Sequence, residues 1–174
     1  TGQYPNCSWL PSGDWTTQIG LSPTYLLGAK TGNKFAYTRW STIAGGDILY
    51  SNGIQLNTGV TYFASVGYAV SPNSAAFDEL TMLVGPNQST VSAVSIASVA
   101  AITNSVYATL SNTFTVPSSG LYYLGFKVVS PTSSPDHIGI DDISVIVAPT
   151  CTLAPVAGVI SGTTSTNIGS TNAY

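Results

Sequence analysis

The chain has 174 residues, of which only 6% are charged, and its formal net charge is −3. Soluble domains usually carry about 25% charged residues, whereas Ser, Thr, Asn and Gly fill the polar positions of this chain. Its four Lys and Arg residues are too few to follow a phosphate backbone, which argues against nucleic acid as a partner. The sequence contains no run of about 18 apolar residues, so membrane insertion is not expected. The composition is typical of an exposed, extracellular protein.

The chain is long enough for one domain with a real core and a short tail. No signal peptide is visible, and Thr1 follows a processing site or the chain was cut from something longer. Its two cysteines, Cys7 and Cys151, lie near the ends of the expected domain, where chain termini are often close together. An internal disulfide, which needs an oxidising compartment, two unpaired thiols and pairing with a neighbouring module are all open.

The first part of the chain predicts irregular structure followed by strands. Residues 9–15 contain two tryptophans, a proline and a glycine, and we expect an irregular stretch that packs on the main fold. A short strand is expected at 26–29. After a turn at 31–34, aromatic residues alternate with smaller ones over 35–40, which predicts a further strand.

The middle of the chain predicts a series of strands separated by turns. Strands are expected at 48–51, 54–56, 60–70, 77–84, 107–116, 120–129 and 137–147. In the longest of the early strands, one face is shared by Tyr62, Ala64, Val66, Tyr68 and Val70. Residues 89–103 fit neither the strand period nor the helix period, so they are a short strand or an irregular segment.

About eight strands without a convincing amphipathic helix predict an all-β sandwich of two antiparallel sheets. The number of strands does not distinguish an immunoglobulin-like topology from a jelly roll. Both topologies place alternate residues of each strand in the core between the sheets.

Three segments carry a resemblance to a known family: residues 54–62, residues 114–126, and Ile-Asp-Asp-Ile at 140–143 with the two residues that follow. In this order the chain resembles the cleaved-adhesin and choice-of-anchor domains of secreted Bacteroidetes surface proteins. It is also similar to the MAM domains of animals. The resemblance covers roughly residues 30–148 and implies a jelly-roll β-sandwich, and the domain is assigned to residues 1–148. The resemblance further implies a non-catalytic, extracellular role at the cell surface, in adhesion or carbohydrate binding as part of a larger protein.

The resemblance also implies a structural Ca²⁺ ion where the N-terminal segment meets the last strand. The matching residues of this chain are Asp14, Asp141 and Asp142. Calcium takes six to eight oxygen ligands, which carboxylates and backbone carbonyls can supply. Neighbouring strand residues point to opposite faces, so Asp141 and Asp142 can point the same way only if a bulge intervenes. The alternative is a pair of solvated or backbone-bonded aspartates.

Catalytic chemistry is not expected. The only histidine, His137, lies in a Pro/Ser-rich loop and is expected at the surface. The sequence has no Gly-x-Ser-x-Gly elbow, no metal-binding Cys/His spacing and no dinucleotide fingerprint. The adjacent carboxylates Asp78 and Glu79 face opposite ways on a strand, so they cannot act as a glycosidase pair unaided.

Exposed aromatic residues are better functional candidates, because sugar rings stack on aromatic faces. Trp15, Trp40 and the neighbouring Arg39 are the residues predicted to contact a ligand. The expected partners are glycans on a host or neighbouring cell surface. The alternative is that these aromatic residues belong to the core, as most do in a sandwich of this size.

Residues 149–174 differ in character from the rest, because a proline-punctuated connector is followed by a stretch without charged residues. They are interpreted as a linker and the first strand of a following module. A frayed tail and a strand donated to a neighbouring subunit are the alternatives. Strand donation would make the chain a structural subunit of an extracellular filament that is built from identical copies by strand exchange.

Overall fold

A computed structural model describes residues 10–12, 15–22, 26–39, 46–72, 77–90, 92–129 and 137–149. Within these ranges the chain forms strands and loops without a helix. The strands are β1 Leu10–Ser12, β2 Thr16–Ile19, β3 Lys34–Arg39, β4 Asp47–Tyr50, β5 Ile54–Leu56, β6 Tyr62–Val70, β7 Phe77–Gly85, β8 Val94–Ile102, β9 Ala108–Phe114, β10 Gly120–Val129 and β11 His137–Val147.

The strands form two antiparallel sheets that pack face to face. The six-stranded sheet has the order β1-β4-β10-β7-β8, with β5 paired to the beginning of β10. The five-stranded sheet has the order β2-β3-β11-β6-β9. The consecutive strands β10 and β11 therefore lie near the centres of different sheets. This arrangement confirms the predicted all-β jelly roll of two antiparallel sheets.

Alternation along the central strands builds the core. In β6 the five residues predicted to share a face are all buried, which confirms that prediction. In β10 the inward-facing residues are Tyr122, Leu124, Phe126 and Val128, and all four are buried. The other residues of β10 face away from the core, because successive side chains of a strand point to opposite faces.

One hydrophobic cluster fills the space between the sheets. Residues from both sheets have almost no exposed surface, among them Val66, Leu80, Phe126 and Ile140. Fully burying a side chain of this kind contributes about 1.5 to 3 kcal/mol. At one end the two sheets are also joined by a buried hydrogen bond of 3.1 Å, which the Thr38 hydroxyl donates to the Asp47 carboxylate. The core thus ties the two sheets into one unit.

The N-terminal part differs from the prediction in two ways. Residues 9–15, expected to be irregular, contain β1, which pairs with β4, and the unpredicted strand β2 follows directly and pairs with β3. Residues 26–29 do not form the expected strand. Leu26 has a left-handed φ of 54° and donates its N–H to the Ser22 carbonyl, so the chain turns there.

Residues 94–102, whose pattern fitted neither period, form the regular edge strand β8. Two backbone irregularities account for the weak pattern. The register between β7 and β8 shifts between Met82 and Leu83, and Ala101 has a left-handed φ of 51°. Each irregularity interrupts the alternation of inward and outward side chains, so no single period runs through the segment.

Several predictions fall on residues outside the described ranges. These are the disulfide between Cys7 and Cys151, the metal ligand Asp14, the ligand contact Trp40 and the structure of residues 150–174. The division of the chain into 1–148 and 149–174 stays a prediction for the same reason. In the described part, no helix is long and apolar enough to cross a membrane.

Candidate functional site

Each sheet has one side that faces away from the core. We call the outer side of the sheet that contains β10 the six-stranded face, and the outer side of the sheet that contains β11 the five-stranded face. The two faces carry different side chains and are covered to different extents.

The six-stranded face is centred on β10, whose outward-facing residues are Leu121, Tyr123, Gly125, Lys127 and Val129. Leu121 is 50% exposed, and Tyr123, Lys127 and Val129 are half-buried. Because β10 pairs with β7 on one side and with β4 and β5 on the other, these residues run along the middle of the sheet. The face therefore offers an apolar residue, an aromatic ring and an ammonium group in one line.

Gly125 makes room for a tyrosine ring on this face. Gly125 is the register partner of both Tyr50 and Leu83, so the three residues form one row across the sheet. A Cβ atom on Gly125 would lie 3.1 Å from Cε1 of Tyr50 and 3.5 Å from Cβ of Leu83. The ring of Tyr50 therefore lies directly on the glycine backbone, and burial raises the pKa of its phenol. Tyr50 therefore provides a packed aromatic surface next to the exposed end of β10.

Polar groups surround this line of residues. Gln55 is exposed and lies in register with Leu121. Thr81 lies in register with Lys127, and its hydroxyl donates a hydrogen bond to the Glu79 carboxylate. At the exposed end, the Gln88 side-chain amide donates to the Ser51 carbonyl at 3.1 Å and fixes the turn after β7. Hydroxyl, amide and single charged groups thus border the aromatic and apolar centre.

The five-stranded face carries a group of aromatic side chains on β3 and β11. The ring centroids of Phe35 and Tyr37 are 5.8 Å apart, and those of Tyr37 and His137 are also 5.8 Å apart. These residues, with Ser22 and Leu27, line a shallow hollow whose enclosed volume is about 0 Å³. Ligand pockets usually have about 300 to 1,000 Å³. The hollow is therefore a surface depression and not a ligand pocket.

His137 does not lie at the surface as predicted, because it begins β11 and is only 5% exposed. Its carbonyl accepts the Ser71 N–H, and its register partner is Arg39. The prediction was wrong because the Pro/Ser-rich loop ends one residue before His137. A buried position against Tyr37 is not that of a general base open to substrate.

A loop covers part of the five-stranded face. Leu27 and Phe35 are buried there together with Ala69. A Cβ atom on Gly139 would lie 2.8 Å from Cδ2 of Leu27 and 3.0 Å from Cδ2 of Phe35, so the bare backbone of β11 admits both side chains. Tyr107 donates its phenolic hydrogen to the Gly28 carbonyl at 2.9 Å. Residues 26–31 are therefore held against the sheet.

The two aspartates of β11 fasten the end of this loop, and we call them and their surroundings the acidic bulge. The register between β11 and β6 shifts between Asp141 and Ser144, and Asp142 has a left-handed φ of 49°. The bulge that both aspartates needed in order to point the same way is therefore present. Both side chains contact the loop at Lys30 and Thr31.

Every carboxylate oxygen of the acidic bulge has a partner. Asp141 Oδ2 accepts the backbone N–H groups of Lys30 at 2.8 Å and Thr31 at 3.1 Å, and its Oδ1 accepts the Asp142 N–H at 2.8 Å. Asp142 Oδ1 accepts the Thr31 hydroxyl, and its Oδ2 lies 3.3 Å from Nζ of Lys30.

Charges at the acidic bulge affect the ionisation of nearby groups. The hydrogen bond from Thr31 is the largest effect on the pKa of Asp142 and lowers it; burial opposes this, and the hydrogen bond and positive charge of Lys30 lower it further, so the pKa lies below its ordinary value. Burial raises the pKa of Tyr107 well above its usual value, and the charges of Asp141 and Asp142 add to the increase. Tyr107 therefore stays protonated and keeps its hydrogen bond to the loop.

These contacts do not fit a calcium ion. Calcium needs six to eight oxygen ligands, whereas N–H, O–H and ammonium groups contact the oxygens of Asp141 and Asp142. The described residues also contain no group of three or more His, Cys, Asp or Glu side chains that could hold a metal ion. The third predicted ligand, Asp14, lies outside the described ranges, so its part in the prediction stays untested.

Of the residues predicted to bind a ligand, Trp15 and Arg39 lie within the described ranges, and they do not come together on one face. Trp15 is 4% exposed and belongs to the core cluster, so it has no free ring face for a sugar. Arg39 is exposed at the end of β3, on the five-stranded face. The predicted ligand contacts do not include Tyr123 and Lys127, although the alternation of β10 places them on the side opposite its buried residues. That alternation was the signal that could have identified them.

No known family model matches the chain, and no curated protein matches it. One solved structure with a similar fold contains the CBM22-1 and GH10 modules of endo-1,4-β-D-xylanase 10B from Clostridium thermocellum, complexed with xylohexaose. It has a TM-score of 0.57 and 15% identity over 85% of this chain. This chain spans only 27% of that protein.

Two smaller structures are matched over most of their length. The K2 cleaved adhesin domain of Lys-gingipain has a TM-score of 0.56 and 17% identity, over 78% of this chain and 87% of that one. The module TmCBM61, in complex with β-1,4-galactotriose, has a TM-score of 0.58 and 14% identity, over 84% of this chain and 92% of that one. A cyclase from Fischerella sp. TAU has a similar fold as well. At these identities the chain shares the jelly-roll fold of carbohydrate-binding modules and cleaved adhesin domains.

Proposed function

We propose that this domain is a non-catalytic glycan-binding module of a larger extracellular adhesion protein, and that it binds glycans on the six-stranded face. The observation that carries the proposal is the line of outward-facing residues Leu121, Tyr123 and Lys127 along the central strand β10. The resemblance to secreted Bacteroidetes surface proteins supports the extracellular setting.

The chemistry of this face suits a sugar. A pyranose ring presents C–H groups that pack on an aromatic ring, and its hydroxyl groups exchange hydrogen bonds with amides, hydroxyls and charged groups. Tyr123 supplies the ring, and Leu121 extends the apolar surface. Gln55 beside Leu121 and Lys127 further along β10 supply hydrogen-bonding groups on the same face.

The shape of the face favours an extended ligand. Residues 121 and 127 are six positions apart on one strand, which corresponds to about 20 Å at roughly 3.4 Å per residue. A strand surface of this length can contact several consecutive sugar units. Oligosaccharides are present in two of the compared jelly-roll structures, xylohexaose in one and β-1,4-galactotriose in the other.

The absence of catalysis is proposed from the positions of the reactive groups. The only histidine of the chain packs against Tyr37 on the five-stranded face, away from the proposed glycan surface. Glu79 lies on the strand paired with β10, and its carboxylate oxygen accepts a hydrogen bond from Thr81. A glycosidase needs two carboxylates on either side of the scissile bond.

A glycan array followed by affinity electrophoresis in soluble polysaccharide tests the proposal. Tyr123→Ala is expected to weaken binding at least about tenfold, because it removes the central aromatic contact. Tyr37→Ala is the matched control, since it removes a half-buried tyrosine from the opposite face. Equal binding by wild type and Tyr123→Ala, or loss of binding only in Tyr37→Ala, would refute the proposed surface.

A further inference from the structure

We propose that the ammonium group of Lys30 occupies the cation position of the acidic bulge, so that the loop over the five-stranded face is fastened without a divalent metal ion. Two adjacent carboxylates at one bulge need positive charge or hydrogen-bond donors close by. In this chain the loop itself supplies both. The inference is independent of the proposed glycan surface, which lies on the other sheet.

The hydrogen-bonding capacity of the two carboxylates is directed at the loop. Three of the four oxygens accept N–H or O–H donors, two of them from Lys30 and Thr31. The fourth, Asp142 Oδ2, faces Nζ of Lys30 at 3.3 Å. One residue thus provides a backbone donor to the first aspartate and a positive charge to the second.

A glycine on the neighbouring strand makes room for this lysine. A Cβ atom on Gly67 would lie 2.8 Å from Cδ of Lys30, 3.3 Å from its Nζ and 3.2 Å from the carbonyl oxygen of Asp141. The stem of Lys30 therefore lies on the bare backbone of β6, which brings its ammonium group between the strand and the bulge. A larger residue at position 67 would displace the lysine from this path.

An ammonium group can take the place of a calcium ion here for a simple chemical reason. An ammonium group carries one positive charge and three donors, and it satisfies oxygen atoms without needing the six to eight oxygen ligands of calcium. In the acidic bulge the partner of Asp142 Oδ2 is Nζ of Lys30, at 3.3 Å. The stability of the domain should therefore be insensitive to calcium and to chelators.

Thermal unfolding of the full 174-residue chain tests this inference, with each variant measured in EDTA and in CaCl₂. The wild type is expected to have the same Tm in both solutions. Lys30→Met keeps the stem and removes the charge, and it is expected to lower Tm in EDTA by about 2 to 4 °C. Calcium should not restore this loss, because the backbone N–H groups and the Thr31 hydroxyl still occupy both oxygens of Asp141 and Oδ1 of Asp142 in Lys30→Met.

Lys127→Met is the matched control, because it removes an ammonium group from the six-stranded face and should change neither Tm nor the calcium response. Lys30→Gln repeats the experiment with a shorter neutral side chain if Lys30→Met does not fold. A wild type whose Tm rises in calcium or falls in EDTA overturns the inference. So does a folded Lys30→Met variant whose Tm in EDTA equals that of the wild type.

Discussion

The outer faces of both sheets are formed by strands whose side chains alternate between the core and the outside. One face is nevertheless covered by a loop, whereas the other exposes the outward-facing residues of its central strand. On the five-stranded face, Gly67 and Gly139 leave bare backbone on which Lys30 and Leu27 pack. On the six-stranded face, β10 places Leu121, Tyr123 and Lys127 outward. Gly125 lies between Tyr123 and Lys127, and the ring of Tyr50 from the neighbouring strand β4 packs on it.

The difference shows that the positions of outward-facing glycines decide whether a loop can pack on the face of a sheet. Where a glycine faces outward next to a long loop, the loop can approach the strand closely and its side chains become part of the structure. Where the outward positions are large, they keep their own surface in contact with solvent. The lysines on the two faces accordingly have different roles. We expect Lys30 to stabilise the fold and Lys127 to contact a ligand.

The largest effect is expected from a change that affects both faces at once. Phe126→Ala removes a fully buried ring from the core that the sheets share, and it should destabilise the domain by about 3 to 5 kcal/mol. Urea unfolding followed by tryptophan fluorescence and by far-UV circular dichroism should give one coincident transition. Two separate transitions would mean that the faces belong to sheets that unfold independently.

A smaller effect, confined to the covered face, is expected from Gly139→Val. The new side chain would collide with Leu27 and Phe35 and lift the loop, at a cost of about 1 to 3 kcal/mol. Gly120→Val is the matched control, because the nearest atom to a Cβ at that position is 3.9 Å away. Glycan binding by the folded fraction of Gly139→Val should equal that of the wild type. Equal stability of the two valine variants would contradict the close approach of the loop.

A still smaller effect is expected from the single hydroxyl that fixes the middle of the loop. Tyr107→Phe removes the hydrogen bond to the Gly28 carbonyl and should lower the free energy of unfolding by about 0.5 to 1.5 kcal/mol. Tyr123→Phe makes the same change on the open face and should alter stability by less than about 0.5 kcal/mol. Urea denaturation at neutral pH measures both. A larger loss in Tyr123→Phe than in Tyr107→Phe would reverse the comparison.

The strands β6 and β10 were predictable because their core-facing residues recur at every second position, and turn-forming residues flank both strands in the sequence. The strand β2 was not predicted, and residues 89–103 were left open between a short strand and an irregular segment, in both cases for physical reasons. β2 is a four-residue edge strand, and the pattern of β8 is broken by a register shift in its pairing with β7 and by the left-handed Ala101.

The candidate sites were predictable to a smaller extent. The sequence could show that Asp141 and Asp142 need a bulge in order to act together, and the bulge is there. It could not show their partners, because Lys30 lies 111 positions earlier in the chain than Asp141 and only the packing of the loop brings them together. Trp15 looked suitable for sugar stacking, but nothing local distinguishes a tryptophan at the edge of the core from one at the surface.

The smallest predicted effect is a dependence of stability on pH that comes from Asp142. The Thr31 hydrogen bond and the ammonium of Lys30 hold the pKa of Asp142 below its ordinary value of 3.8 in the folded protein. A carboxyl whose pKa is lower in the folded state stabilises that state fully above its ordinary pKa, and the contribution is lost as the pH falls through the folded-state pKa. The free energy of unfolding of the wild type should therefore converge on that of Asp142→Asn below pH 3.8.

Asn suits this comparison because, like Asp, it tolerates the left-handed backbone at position 142. The difference between the two proteins should be small and should shrink further in high salt, because both side chains of the Lys30–Asp142 pair are 31% exposed. The measurement is a series of urea titrations between pH 6 and pH 3 at two salt concentrations. Parallel curves at all pH values would show that the charge of Asp142 does not fasten the loop, and the covered face would then be held by Leu27, Tyr107 and Asp141 alone.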